Sequence, residues 1–200
     1  MSKSLWLAST SVYRQALLQK LTSNFQCAKP EVDETALTDE SAEQLVMRLA
    51  AAKANAVATR LHQQSIDALV IGSDQVAVFA GQILGKPHTK ERAFSQLRSF
   101  SGHSVHFLTG LAVTDSNNAE TDTILDEFIV HFRELTDAEI WRYIEREQPL
   151  NCAGSFKSEG LGITLFERLQ GNDPNSLIGL PLIRLHAMLK QRGLDLLMHG

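Results

Sequence analysis

The chain has 200 residues, 44% of them hydrophobic, which is enough for a substantial core in a protein of one domain, with or without a division into two lobes. Nineteen basic and 23 acidic residues give a net charge of −4 at pH 7, which excludes a protein held on nucleic acid by a general positive field. The opening MSKSLWLAST turns polar too early for a signal peptide, and no apolar run reaches the length of a membrane span. Composition therefore predicts a cytoplasmic protein that binds neither nucleic acid nor membranes.

Hydrophobic periodicity and capping residues predict irregularly alternating strands and helices. Short apolar runs indicate strands, whereas apolar residues spaced three and four apart after Ser or Thr indicate helices. This pattern favours a mixed α/β sheet flanked by helices, in a single domain over residues 1–200. The predicted elements are a strand at 5–8, a helix capped by Ser9, a helix at 41–60, strands at 68–71 and 76–80, a helix at 89–100, strands at 104–114 and 126–133, a helix at 136–145, a strand at 160–166 and a helix at 176–190.

The junction of the first strand and first helix carries three hydroxyl residues, Ser9, Thr10 and Ser11, and then Arg14. Backbone N–H groups, the positive end of a helix and a guanidinium would all lie within reach of one anion there. The alternative is a well-capped helix with a solvated arginine. The motif alone does not decide between the two.

Carboxylates occur in two places where an ordinary surface role is not the only interpretation. Glu31, Asp33 and Glu34 crowd one loop, and Asp74 follows the buried strand at 68–71. Magnesium takes one or two carboxylates while phosphates and water complete its shell, and α/β proteins place ligand-contacting groups where strands end. The alternatives are an acidic turn for the loop and a structural turn for Asp74.

Lysines at three further positions add positive charge: Lys53 near the apolar face of its helix, Lys86 in Gly-Lys-Pro, and Lys157 in Ser-Phe-Lys-Ser-Glu-Gly. Together with Arg14 they are sufficient to surround the charge of a triphosphate. Each lysine taken singly is more often a solvated surface residue. The seven histidines show no metal-ligand pair.

Taken in order, several segments and the Lys53 helix resemble the Maf family of nucleotide pyrophosphatases over essentially the whole chain. These segments are LASTSVYRQALL, PEVDE, IGSDQ, GKP, TGLAV and AGSFKSEGLG. The resemblance implies a fold related to inosine triphosphatases (Maf/Ham1 type), with a cleft between two lobes, and a homodimer. It also implies hydrolysis of a small-molecule nucleoside triphosphate to monophosphate and pyrophosphate, with a divalent metal cation: Mg²⁺, Mn²⁺ or Co²⁺.

The same resemblance implies roles for individual residues. Asp74 would activate water, either as the proton acceptor or as a ligand of the metal, and Glu34 would be its partner in holding that metal. Four residues would contact or neutralise the phosphates: Ser9, Arg14, Lys53 and Lys86.

Substrate specificity is implied by Tyr13, Gln75 and Glu159, which are similar to the subfamily that prefers 7-methyl-GTP. In that subfamily the Tyr13 position is often tryptophan, whereas members acting on dTTP and UTP commonly have Arg, Thr and Gln at the three positions. An aromatic ring and a carboxylate suit the positively charged 7-methylguanine. The alternatives are a core role for Tyr13 with a solvated Glu159, a dTTP/UTP pyrophosphatase of the same family, and a non-catalytic nucleotide-binding regulator of cell division.

Overall fold

A computed structural model describes residues 3–199 of the chain. Seven strands form one sheet in the order β2-β1-β3-β5-β6-β7, and β4 pairs with β3 off this path. The strands are β1 Ser4–Leu7, β2 Gln26–Cys27, β3 Ala68–Phe79, β4 Gln82–Leu84, β5 Ser104–Asp115, β6 Thr121–Phe132 and β7 Phe166–Gly171. The helices are α1 Val12–Gln19, α2 Ala42–Gln63, α3 Lys90–Phe100, α4 Asp137–Glu147, α5 Leu182–Gln191 and α6 Leu196–His199.

The sheet is mixed. Strand β1 pairs in parallel with both β2 and β3, whereas β4 runs antiparallel to β3 and β7 antiparallel to β6. The fold class predicted from the sequence, a mixed sheet flanked by helices, is therefore confirmed.

The chain divides into two compact units. The first comprises the chain up to Gln75, then Thr109–Asp126, then the chain from Asp173 onward; the second comprises Val76–Leu108 and Glu127–Asn172. Strands β3, β5 and β6 therefore contribute residues to both units.

In the first unit, helices cover both faces of the sheet. Successive side chains of a strand point to opposite faces, so a strand of consecutive apolar residues presents an apolar surface on each face. Leu69 and Ile71 of β3 belong to a core with residues of α1 and α5, whereas Ala68 and Val70 belong to a core with residues of α2. The same alternation determines which of the later residues of β3 face α2.

The second unit has an aromatic core. Phe132 packs against Phe100, Phe156 and Phe166, with ring centroids 5.3–5.6 Å apart. Phe107 makes a similar edge contact with Phe156. The fold of this unit therefore rests on phenylalanine packing.

Most predicted elements are confirmed to within a few residues, but the type or bounds of three segments differ from the prediction. The 160–166 segment is a 3₁₀ helix over Leu161–Leu165 that precedes β7. The 176–190 helix begins only at Leu182, after a 3₁₀ turn at Pro174–Ile178. The two short strands predicted around Asp74 are one continuous strand.

Two further features concern the cysteines and membrane spans. Both cysteines are free thiols. Within residues 3–199 no helix is long and apolar enough to cross a membrane.

Candidate active site

Lys53 joins the two carboxylates that the sequence singled out. Its Nζ lies 2.7 Å from Oδ1 of Asp74 and 2.8 Å from Oε1 of Glu34. Lys53 and Asp74 are buried, whereas the side chain of Glu34 is 60% exposed. The structure thus brings together a buried ion pair and a second carboxylate that is open to solvent.

Strand geometry explains why Asp74 faces α2. The parallel pairing of β1 with β3 ends at Leu7 and Ile71, so Asp74 lies three residues past the paired segment. Since Ala68 and Val70 face α2, so do Gly72 and Asp74. A Cβ on Gly72 would lie 2.1 Å from the Ala50 carbonyl oxygen, so glycine lets the helix approach and carry Lys53 to the carboxylate.

Hydrogen bonds to α2 hold the loop that carries Glu34. An Arg48 guanidinium nitrogen donates to the Thr35 carbonyl at 3.1 Å and forms an ion pair with Glu40. Hydrogen bonds from the Thr35 side chain and then from its backbone N–H lower the pKa of the exposed Asp33 carboxyl. The acidic loop therefore has local order around Glu34.

Arg14 extends the site from α1. Its Nε donates to the carbonyl oxygen of Gly179 at 2.9 Å. Burial lowers the pKa of its guanidinium, while the charges of Asp74 and Glu34 act in the opposite direction. Arg14 is therefore partly desolvated and close enough to both carboxylates to feel their charge.

The first helix is capped by a different serine from the one predicted, Ser9. Ser11, not Ser9, is the N-cap of α1, because its hydroxyl accepts from the backbone N–H of Arg14. Ser9 is buried, and its hydroxyl accepts from the Ser11 N–H at 3.1 Å. Ser9 thus orders the turn that leads into the helix.

Gln75 and Tyr13, two of the expected specificity residues, have different surroundings. The Gln75 amide nitrogen donates to the Thr109 hydroxyl at 2.9 Å and to the Ser176 carbonyl at 2.6 Å. Tyr13 is 43% exposed on α1. The alternative that places Tyr13 in the core is therefore wrong.

The remaining expected residues, Lys86 and Glu159, lie in the second unit and are exposed. Both charges act on the thiol of Cys152, whose pKa is raised chiefly by burial. They therefore share one neighbourhood within that unit.

The loop that carries Glu159 is tied to the end of α4. Lys157 Nζ donates to the Glu147 carbonyl at 2.7 Å, and the backbone N–H of Lys157 donates to the hydroxyl of Tyr143 at 3.0 Å. Burial raises the pKa of Tyr143. The neutral phenol thus serves as an acceptor for the loop.

The donor chemistry fits a divalent metal held mainly by its substrate. Among residues 3–199 no three His, Cys, Asp or Glu side chains converge as a metal-ligand cluster. Oδ1 of Asp74 and Oε1 of Glu34 converge on one ammonium, and their second oxygens accept no hydrogen bond from the described residues. Two carboxylates with phosphates and water complete a magnesium shell.

Sequence reasoning missed a network of uncharged residues that starts at Ser73 and Gln75, the chain neighbours of Asp74. The single hydroxyl hydrogen of Ser73 is shared between the carbonyls of Gly110 and Gly179, at 3.0 and 2.9 Å. Thr109 and Gly179 complete this network. Ser73 and Thr109 lie inside the IGSDQ and TGLAV segments, but nothing in those segments shows which distant carbonyls they contact.

A mixed α/β sheet with paired carboxylates and cations beyond its parallel strands is typical of enzymes that act on phosphorylated small molecules. The model of the Maf family, described as Maf-like protein, matches residues 4–192. The chain belongs to this family.

Two curated relatives are similar over nearly their whole length. A 7-methyl-GTP pyrophosphatase of Pseudoalteromonas translucida (strain TAC 125) is 58% identical over 191 residues, which cover 96% of this chain and 93% of the relative. A 7-methyl-GTP pyrophosphatase of Colwellia psychrerythraea (strain 34H / ATCC BAA-681) is 54% identical over 195 residues, covering 98% and 96%.

A more distant likeness is to a solved structure, the nucleoside-triphosphatase / dITP/XTP pyrophosphatase of Mycobacterium abscessus ATCC 19977 / DSM 44196. It is 13% identical, with a TM-score of 0.35, and the likeness covers 64% of this chain and 72% of the other. This similarity is too low to bear on fold or function.

Proposed function

We propose that this protein hydrolyses 7-methyl-GTP to 7-methyl-GMP and pyrophosphate. The observation that carries the proposal is the pairing of Asp74 and Glu34 on one buried ammonium, next to Arg14. Two relatives above 50% identity that are named for this activity support it. The proposal makes the chain a nucleoside triphosphate pyrophosphatase, a hydrolase acting on phosphoric anhydride bonds.

Asp74 is the proton acceptor of the proposed reaction. The oxygen of a water molecule bonds to the α-phosphorus, the bond from that phosphorus to the β-phosphate oxygen breaks, and pyrophosphate leaves. The proton of the water passes to Oδ2 of Asp74, while Oδ1 stays hydrogen-bonded to Lys53. The lysine thereby fixes the carboxylate in one orientation.

Cations stabilise the charge that builds up on the departing pyrophosphate. Arg14 is already oriented by Gly179 and partly desolvated, which strengthens its attraction to phosphate. Ser9, Lys53 and Lys86 are the other proposed phosphate contacts. For Lys86 the assignment rests on the Gly-Lys-Pro motif and the family.

A divalent metal, Mg²⁺, Mn²⁺ or Co²⁺, is the proposed cofactor, with Glu34 as its protein ligand; Asp74 is a second ligand in the alternative in which the metal, and not Asp74, activates the water. When bound, such an ion neutralises phosphate charge and acidifies water. The 60% exposure of Glu34 leaves its carboxylate free to turn toward an ion that arrives with the substrate.

Tyr13 and Glu159 are the proposed contacts of the base. The exposed ring of Tyr13 is available to stack on the positively charged 7-methylguanine, and a carboxylate accepts from the guanine N1–H and amino group. Gln75 is the third position of the set that the family resemblance implies, but its amide hydrogens are both used within the protein, so no contact with the base is proposed for it. A homodimer in the cytoplasm completes the proposal, and gel filtration with light scattering tests the dimer.

A panel of 7-methyl-GTP, GTP, dTTP, UTP, ITP and XTP, assayed for monophosphate and pyrophosphate with magnesium or manganese, tests the proposal. We expect 7-methyl-GTP to have the highest kcat/KM. A preference for dTTP or UTP would keep the reaction but refute the roles of Tyr13 and Glu159. Nucleotide binding without turnover under both metals would favour the regulator of cell division.

A further inference from the structure

One short segment, Ser176–Gly179, accepts hydrogen bonds from several residues around Asp74. Its Ser176 carbonyl accepts from the Gln75 amide at 2.6 Å and from the Thr109 hydroxyl at 3.2 Å. Its Gly179 carbonyl accepts from Arg14 at 2.9 Å and from Ser73 at 2.9 Å.

Two of the donors, Ser73 and Gln75, immediately precede and follow Asp74 in β3. Residues 73 and 75 lie on the face opposite to Asp74, because alternate side chains of a strand point to opposite faces. They fasten Ser176–Gly179 to that face, while Asp74 meets Lys53 on the other face. The segment therefore has a fixed distance to the strand that carries the proton acceptor.

The backbone conformation of Gly179 places its carbonyl within hydrogen-bonding distance of Arg14. Its φ of +114° lies in a region that side chains rarely adopt. A Cβ at this position would lie 3.4 Å from Arg14 Nε, so the backbone is in close contact with the guanidinium. The orientation of Arg14 therefore depends on the orientation of this one carbonyl.

We propose that Gln75 and Thr109 are positioning residues that orient Arg14 through the Ser176–Gly179 segment. Gln75 then affects the reaction without touching the base. Both hydrogens of its amide are used within the protein, one on the Thr109 hydroxyl and one on the Ser176 carbonyl. The inference rests on the proposed function, in which Arg14 binds phosphate.

The test uses Thr109→Val and Gln75→Met, each made alone and in an Arg14→Ala background. Thr109→Val keeps the shape of the side chain and removes its hydroxyl, and Thr109→Ser restores the hydroxyl as the conservative variant. Gln63→Met is the matched control, because Gln63 is an exposed glutamine at the end of α2 in the same unit. Thermal unfolding of every variant confirms that it is folded.

For each variant, kcat/KM is measured for 7-methyl-GTP and GTP, and the Kd of inorganic pyrophosphate is measured by calorimetry with magnesium present. We expect Thr109→Val and Gln75→Met to lower kcat/KM for both nucleotides by the same factor and to weaken pyrophosphate binding, each by about tenfold, as for the loss of one buried hydrogen bond. In the Arg14→Ala background they should have no further effect, and Thr109→Ser should behave like the wild type.

Three results overturn the inference. The first is a change of more than about threefold in the ratio of kcat/KM for 7-methyl-GTP to that for GTP, which would mean that Gln75 contacts the base. The second is a loss that multiplies with that of Arg14→Ala, and the third is no loss at all. If the wild type hydrolyses neither nucleotide, the proposed function fails, but the pyrophosphate affinities still decide the inference.

Discussion

A buried lysine is tolerated only where its charge is balanced, because desolvating an ammonium is costly. Lys53 meets this condition through Asp74 and Glu34 together. The same contacts keep the Asp74 carboxylate in one place, with one oxygen bound to the lysine and one available to water. At the scale of single residues, stability and reactivity thus depend on the same three side chains.

Asp74→Asn keeps the shape of the side chain and removes the proton acceptor. We expect kcat to fall by about 100-fold or more, the usual contribution of a general base. The fold should persist, because Lys53 retains Glu34 as a charged partner. Steady-state kinetics and thermal unfolding check both parts.

Asp67→Asn is the control for that experiment. Asp67 immediately precedes β3 and has a side chain that is 44% exposed. It should leave kcat unchanged. Wild-type rates in Asp74→Asn would refute the assignment of the base.

The sequence was sufficient to identify Asp74, Glu34 and Arg14 as candidate site residues. A charged side chain beside an apolar strand or at the start of a helix needs a partner, and a bound ion or ligand is one such partner. Their mutual distances were not predictable. The contact of Arg14 with Gly179 joins residues 165 positions apart, and only the folded chain brings them together. The sequence also could not show that Ser11 and not Ser9 caps α1, since either hydroxyl is suitable for a cap.

At the scale of elements, the approach of α2 to β3 depends on Gly72. In Gly72→Ala the new Cβ would lie 2.1 Å from the Ala50 carbonyl oxygen, so the helix must move away from the strand. We expect a loss of about 3 kcal/mol in the free energy of unfolding, typical of a severely overpacked core, together with a lower kcat as Lys53 retreats. Denaturant unfolding and kinetics measure the two effects.

Gly85→Ala is the matched control for stability, because no atom lies within 4 Å of the position of its Cβ. Its free energy of unfolding should match that of the wild type. Equal stability of Gly72→Ala and Gly85→Ala would show that α2 does not need this close approach.

Helix α4 supplies a prediction about pH. Glu139 accepts from the backbone N–H of Thr136 and pairs with Arg133 at 2.8 Å, and these bonds, the Arg133 bond foremost, lower its pKa from 4.5 to about 2. Since the folded pKa lies below the ordinary value, the stabilisation is present above pH 4.5 and is lost as the pH falls through about 2.

Glu139→Gln should therefore have a lower melting temperature than the wild type at pH 7, and the difference should shrink as the pH falls below 4.5. Thermal unfolding across this range checks it. Glu145→Gln, which removes another exposed glutamate of α4, controls for the general effect of lost charge. A difference that grows on acidification would contradict the prediction.

The error at 160–166 has a physical cause. The segment is apolar enough for a strand, but its Thr164 hydroxyl bonds back to the Leu161 carbonyl at 2.7 Å, and the Leu161 N–H bonds to Glu147 at 3.0 Å. The first bond lies within the segment and the second ties it to α4, and together they hold it as a 3₁₀ helix. Periodicity identifies strands and helices through burial, and it contains no information about such a tertiary partner.

At the scale of the whole molecule, a mixed sheet flanked by helices followed from the sequence, and two lobes were implied by the family resemblance, but the boundary between the two units was not predictable. Strands β3, β5 and β6 each pass from one unit to the other within a continuous run of residues, so no linker or change of composition marks the boundary. Glu34, Lys53 and Asp74 all lie in the first unit. The groups proposed to hold metal therefore belong to a unit with its own hydrophobic cores.

The proposed metal should serve catalysis without being needed for folding. Lys53 and Arg14 together already offset the charge of Asp74 and Glu34, and the described residues hold no cluster of three metal-ligating side chains. A chelator should therefore abolish turnover while shifting the melting temperature by no more than about 2 °C, because a weakly held ion contributes little to stability. Added magnesium, manganese or cobalt should restore the rate. A large drop in melting temperature on chelation would instead reveal a structural ion. Full activity in the presence of the chelator would contradict the proposed role of a metal in catalysis.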